Sequence, residues 1–124
     1  MIKEQKKDEF KKRIYQFELK LVAFIDSLPN ETTIRIIRDQ LLRSGTSVLA
    51  NYIEAQYAYS KREFSSYFQI CLRSTKESLM WFCLLKDSQK VTPETVAWFL
   101  TELDEYAKIF SSSLITLKRK DKKG

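Results

Sequence analysis

Phe10, Ile14, Phe17, Leu21, Phe24 and Leu28 follow one another at intervals of four, three, four, three and four residues. That rhythm lines six large apolar side chains along one stripe of a helix and does not fit the two-residue alternation of a half-buried strand. It predicts a first helix over 8–28. The rhythm returns three times. A second helix, 32–58, carries Ile34, Ile37, Leu41, Ser44, Val48, Asn51, Ala55 and Ala58. A third, 61–88, carries Phe64, Phe68, Cys71, Thr75, Ser78, Phe82 and Leu85. A fourth, 93–118, carries Val96, Leu100, Leu103, Ala107, Phe110, Leu114 and Leu117. Pro29 ends the first helix, and Asn30 or Thr32 is placed to cap the second. Ser60 with Glu63 three residues on reads as a capping box. Thr92 caps the fourth, with Pro93 at the first helical position, where a missing N–H costs nothing.

Only two glycines and two prolines occur in 124 residues, too few for a hairpin-rich sandwich or barrel. Short connections between helices of this length give one all-α domain over 1–124, an antiparallel up-down-up-down four-helix bundle. The basic tail 118–124 is expected to fray.

The second helix breaks its own pattern with polar residues. Ser44, Gly45, Ser47, Asn51 and Glu54 stand where an apolar seam is expected. Because helices two and three reverse near residue 59, positions whose numbers sum to about 120 lie side by side. Ser44 then falls near Thr75 to Ser78, and small residues face small residues. Gly45 inside a helix costs about 1 kcal/mol relative to Ala, and close approach of helices two and three is a physical reason for it. A buried polar row must be hydrogen-bonded, since an unpaired member costs about 1–3 kcal/mol. Such rows can fix register and partner choice. Glu54 needs a partner in this scheme, with Lys61 or Arg62 just past the turn; the competing reading is an exposed glutamate.

A catalytic reading has little to stand on. The chain contains no histidine, which removes the commonest general base and the commonest metal ligand. Cys71 and Cys83, twelve residues apart on one helix, lie about 18 Å apart and make neither a disulfide nor a zinc site. Glu54 and Glu77, the two glutamates of the polar seam, could form a carboxylate pair, but they fall near opposite ends of the helix contact. There is no glycine-rich phosphate loop. The expectation is a protein without enzymatic activity, cofactor or metal.

Net charge is +6. Residues 1–20 are net +3 and residues 118–124 net +4. The excess sits at the two chain ends and on the third helix, either as solvated faces that keep the protein soluble or as a surface that meets phosphate. The candidate phosphate contacts are Lys3, Lys6, Lys7, Lys11, Lys12 and Arg13, then Lys118, Arg119, Lys120, Lys122 and Lys123, with Arg35, Arg38 and Arg43 as helpers. The aromatic residues mostly occupy core positions, which speaks against base stacking. Two unpaired thiols fit a reducing cytoplasm, the first residues do not read as a signal peptide, and no apolar run is long enough to span a membrane.

The helices carry more apolar residues than one stripe each requires. Leu19, Val22 and Ile25, then Ile36, Leu42, Leu49, Ile53 and Tyr57, then Tyr67, Leu72, Leu79, Trp81 and Leu84 lie outside the seams. They either widen the buried stripe or leave patches that mark association, and a homo-oligomer is expected.

The segments "LRSGTSVLANYIEA" (42–55), "EFSSYFQICLRSTKESLMWFCLL" (63–85) and "LDEYAKIFSSSLITLKR" (103–119) resemble a small bacterial four-helix-bundle family named for the 23S ribosomal RNA intervening-sequence protein. Its second-helix pattern falls on Ser44, Gly45, Ser47, Ala50, Asn51, Glu54 and Ala55, and its third-helix pattern on Glu77, Ser78, Trp81 and Phe82. Ser74 departs from it, standing where many members carry an acidic residue. The resemblance implies a homopentamer and a distant relation to the accessory protein of diversity-generating retroelements, a basic pentamer that binds nucleic acid and a reverse transcriptase. Two functions follow as expectations: an oligomer that binds RNA or DNA through basic surface without strong sequence preference, or a protein–protein scaffold whose charge only confers solubility.

Overall fold

The computed structural model describes the backbone of residues 2–123 and the side chains of residues 4–120. Four α-helices make up the described chain: α1 (Ile2–Ser27), α2 (Thr32–Gln56), α3 (Lys61–Asp87) and α4 (Pro93–Lys123). The first begins earlier than its apolar rhythm, and the last continues through the basic tail that was expected to fray.

The helix ends follow from local chemistry. At α3, the Ser60 hydroxyl accepts a hydrogen bond from the Glu63 N–H at 3.1 Å, satisfying one donor that the helix cannot. At α2 neither expected cap operates: Glu31 flanks the helix in extended conformation and offers no side-chain cap. At α4, the Thr92 hydroxyl meets the Thr95 hydroxyl at 2.6 Å. The C-terminus of α3 closes as a Schellman motif. Lys90 N–H donates to Leu85 C=O and Gln89 N–H to Lys86 C=O, with Gln89 at φ 62°.

Contacting residues on successive helices run in opposite directions. Ser44 meets Ser78 and Ser47 meets Ser74 between α2 and α3. Phe82 stacks on Phe99, and Phe68 meets Phe110, between α3 and α4. Gly45 faces Leu21, and Tyr52 reaches Lys7, between α1 and α2. Each helix is therefore antiparallel to its predecessor. Backbones approach most closely between α2 and α3. The fourth side closes through aromatic rings, with Phe10 against Phe110 and Phe17 against Phe99 and Tyr106.

The core holds Ile14, Phe17, Leu21, Leu41, Val48, Phe82, Leu103, Tyr106 and Phe110 among its best-buried members. Two seams are displaced from the expected line. On α2, Tyr52 is buried and Asn51 is only half-buried; on α4, Phe99 and Tyr106 are buried while Leu100 and Ala107 are half-buried. Of the surplus apolar residues, Ile25 is buried, and Leu49, Tyr67, Leu72, Leu79 and Trp81 pack at the core's edge. Leu19, Val22, Ile36, Leu42, Ile53, Tyr57 and Leu84 are exposed.

Gly45 does not serve the α2–α3 contact as expected. A Cβ built there would sit 2.4 Å from Leu21 Cδ2 and 3.9 Å from a Glu18 carboxylate oxygen, both on α1. Any side chain must displace a fully buried leucine. Gly45→Ala should lower stability by about 1 kcal/mol or less, because the gain in helix propensity offsets the crowding. Gly45→Val should cost about 2–3 kcal/mol. Urea denaturation of the two variants beside the parent checks the order, and equal stabilities would show that α1 does not press on this position.

Candidate functional site

The polar row of α2 resolves into a hydroxyl ladder against α3. Ser44 Oγ and Ser78 Oγ are 2.8 Å apart. Ser78 Oγ donates to Ser74 C=O at 2.8 Å, which uses its one proton, so the Ser44 proton is shared between Ser78 Oγ and the Leu41 C=O at 3.3 Å. Ser74 Oγ donates to Ser47 Oγ at 2.8 Å, and Asn51 Nδ2 donates to the same Ser47 oxygen at 2.9 Å. Thr75 returns its proton to Cys71 C=O at 2.7 Å. The row is internally satisfied and presents no cleft. Ser74, which departs from the family pattern, is a working rung of the ladder. Asn51 reaches α3 only through Ser47.

The two glutamates of the row separate from it. Glu54 is exposed, and among the described residues it forms no ion pair with Lys61 or Arg62. Glu77 is half-buried beside the ladder, where it accepts from Trp81 Nε1 at 3.0 Å and pairs with Arg43. That pair ties α2 to α3 at the rim.

The acidic residue that sequence reasoning missed is Glu18 of α1. It is 7% exposed, and neither carboxylate oxygen has a hydrogen-bond partner among the described residues. It lies beside Gly45, on the flank where Leu21 packs. Burial without compensation pushes its carboxyl up to about 8. The signal was present: Ile14, Glu18, Leu21 and Ile25 are spaced four, three and four residues, a second stripe one step around α1. The neighbouring Glu102 behaves oppositely. Arg13 holds its carboxyl below the usual range, with Nε at 3.0 Å from one oxygen and Nη2 at 2.5 Å from the other. Tyr106, desolvated and near both glutamates, has its phenol pushed well up and donates to Glu102 at 3.1 Å.

The cations proposed from sequence divide into three groups. Lys6, Lys7, Lys11 and Lys12 on α1 and Lys118, Arg119 and Lys120 on α4 are exposed and enter no ion pair among the described residues. Antiparallel packing gathers them at one end of the bundle, where Lys61 and Arg62 at the start of α3 join them. Arg35 and Arg38 lie at the opposite end, near the α3–α4 turn. Arg13 and Arg43 are engaged internally: Arg13 with Glu102 and Glu105 while lying over the Tyr106 ring, Arg43 with Gln40 and Glu77. The side chains of Lys3, Lys122 and Lys123 lie outside the described residues. Among the described residues, no group of His, Cys, Asp or Glu is arranged to hold a metal, and no helix is long and apolar enough to cross a membrane.

A helical bundle with a hydroxyl seam and one basic end is the class of protein these features define. The family model of the 23S rRNA-intervening sequence protein matches residues 6–112, and the chain belongs to that family. It is similar to the crystal structure of a protein of unknown function from the S23 ribosomal protein family of Bacteroides thetaiotaomicron. The two share 30% identity and a TM-score of 0.78, covering 84% of this chain and 96% of the other. No curated protein matches the chain.

Glu18 sets a pH signature. The folded state keeps its proton up to about pH 8, whereas the unfolded chain releases it near 4.5. Its favourable contribution is full below pH 4.5 and disappears as pH rises towards 8, a loss on the order of several kcal/mol. No histidine titrates in this interval. The melting temperature should therefore fall between pH 5 and pH 8 in the parent and stay nearly level in Glu18→Gln. A parent melt that does not move over that range would contradict the burial of a neutral acid.

Proposed function

We propose that this protein is a non-enzymatic oligomer that binds RNA or DNA through the basic end of its bundle, without strong sequence preference. The observation that supports this reading is the convergence of exposed lysines from the start of α1 with Lys118, Arg119 and Lys120 of α4. They would bind phosphates, and repetition of the patch around an oligomer would raise a weak single-site affinity through avidity. The absence of histidine and the closed hydroxyl ladder both favour a structural use of the polar row over a reaction. The two free thiols favour work in the cytoplasm.

Assembly through a second face fits the exposed apolar residues. Tyr15, Leu19 and Val22 run along one side of α1, and Leu42 and Ile53 stand on the adjoining side of α2. Tyr15, Leu49 and Ile53 share one shallow hollow between the two helices. The family resemblance favours a pentamer. The same apolar face supports the scaffold reading, in which it receives another protein and the charge never meets nucleic acid.

A salt titration separates the two. Affinity for a structured RNA or a DNA duplex should fall linearly on logarithmic axes as salt rises. Replacing Lys6, Lys7, Lys11 and Lys12 by Gln should flatten that slope by about 0.9 for each duplex phosphate that the variant no longer neutralises. Arg35→Gln with Arg38→Gln, at the far end, should leave it unchanged. No binding of either nucleic acid at low salt would favour the scaffold.

A further inference from the structure

The basic end also contains an apolar groove. It has a volume of about 440 Å³ and lies between α1, α2, α3 and α4. Phe10, Tyr52, Phe64 and Phe68 form its aromatic wall, and Lys6 and Lys7 stand at its edge. Phe10 meets Tyr52 edge-on at 5.2 Å, and Phe64 lies over Phe68 at 4.3 Å with 33° between planes. Tyr52 and Phe68 are buried and belong to the floor; Phe10 and Phe64 are half-buried and leave ring surface open to the groove. Tyr52 donates its hydroxyl to Lys7 C=O at 3.3 Å, which ties the lysine-bearing turn of α1 to the floor. Gln56 and Ser113 supply polar groups to the lining. Gln56 donates through Nε2 to Tyr52 C=O and so keeps its carbonyl oxygen as an acceptor.

We infer that this groove accepts one unpaired base of a nucleic-acid strand, stacked on Phe64 and Phe10, with the adjoining phosphate on Lys6 and Lys7. The inference rests on the nucleic-acid reading above and narrows it to single-stranded or looped segments. Charge complementarity selects the occupant: the lining contains two ammonium groups and no carboxylate, with Glu4 and Asp8 lining the adjoining hollow on the other side of Lys7, and its aromatic wall suits an anion that carries an apolar ring. A base stacked on an aromatic side chain, its backbone held by cations, has that character, and stacking tolerates any base identity. Aromatic rings assigned to the core by spacing alone thus keep usable faces, because α2 stops at Gln56 and α3 starts at Lys61, so neither of these two helices continues past the rings.

The test uses the full chain and short strands carrying 2-aminopurine at one internal position, with the same strand annealed into a duplex for comparison. Binding of the single strand should quench the 2-aminopurine emission. Phe64→Leu, which keeps an apolar side chain and removes the ring, should weaken single-strand binding about tenfold and leave duplex binding unchanged. Ser113→Phe, which plugs the groove from α4 without removing a cation, should do the same, so the result does not depend on how well one variant folds. If strand and duplex both bind but emission is unchanged, or both variants leave the strand's affinity intact, the groove assignment is wrong and the basic-end reading survives. If neither nucleic acid binds at low salt, both fall. If laurate binds in the groove while the strand shows no quenching, the groove belongs to an acyl chain and the base assignment is overturned.

Discussion

The close approach of α2 and α3 governs the rest of the bundle. It is possible because hydroxyl-bearing side chains face one another along the seam, with Ser44 paired to Ser78 and Ser47 to Ser74. Small residues bring the two backbones together, and paired hydroxyls set their register, since a shift by one position would leave buried oxygens without partners. A pair of helices drawn this close leaves the remaining volume to the opposite side. Phe10, Phe17, Phe24, Phe99, Tyr106 and Phe110 fill it, and their rings meet at centroid distances of 5.3–5.8 Å across the α1–α4 side and its surroundings. Hydroxyls on the α2–α3 side and rings on the opposite α1–α4 side make the bundle asymmetric in cross-section.

Most of this fold was legible in the apolar spacing. The four helices, their order and the α2–α3 register follow from rhythm, turn chemistry and the reversal near residue 59. What spacing missed lies one step around the helix from the expected seam. A helix flanked on two sides buries a stripe wider than one row, so Tyr52 displaces Asn51 and Glu18 is enclosed beside Leu21. Tyr52 can be buried because its hydroxyl finds the Lys7 carbonyl. Glu18 finds nothing comparable among the described residues, and its place in the Ile14, Leu21 and Ile25 stripe was the signal for its burial. Charge was the least legible feature. Arg13 reads from sequence like its lysine neighbours, yet its partners Glu102 and Glu105 lie far along the chain and become adjacent only once α1 and α4 pack.

The proposed activities use separate surfaces of one rigid frame. The exposed apolar residues of α1 and α2 run along the bundle's flank, whereas Lys6, Lys7, Lys118, Arg119 and Lys120 collect at its end; Lys11 and Lys12 border the flank hollow and stand between the two. Covering the flank in an assembly would leave the terminal cations open and bring Lys11 and Lys12 to its rim. Arg13 and Arg43 belong to the frame itself: each joins two helices through carboxylates, so replacing them would disturb packing as well as charge.

Lys118, Arg119 and Lys120 stand at consecutive positions of a regular helix, all exposed. Each successive residue turns about 100° around the axis, so the three neighbours span about 200°, a little over half of the circumference. The tip of α4 is therefore positive across a broad sector and free of these cations on the rest. A polyanion approaching within that sector would meet a cation over a wide range of angles, so contact there would constrain position along the axis more than rotation about it.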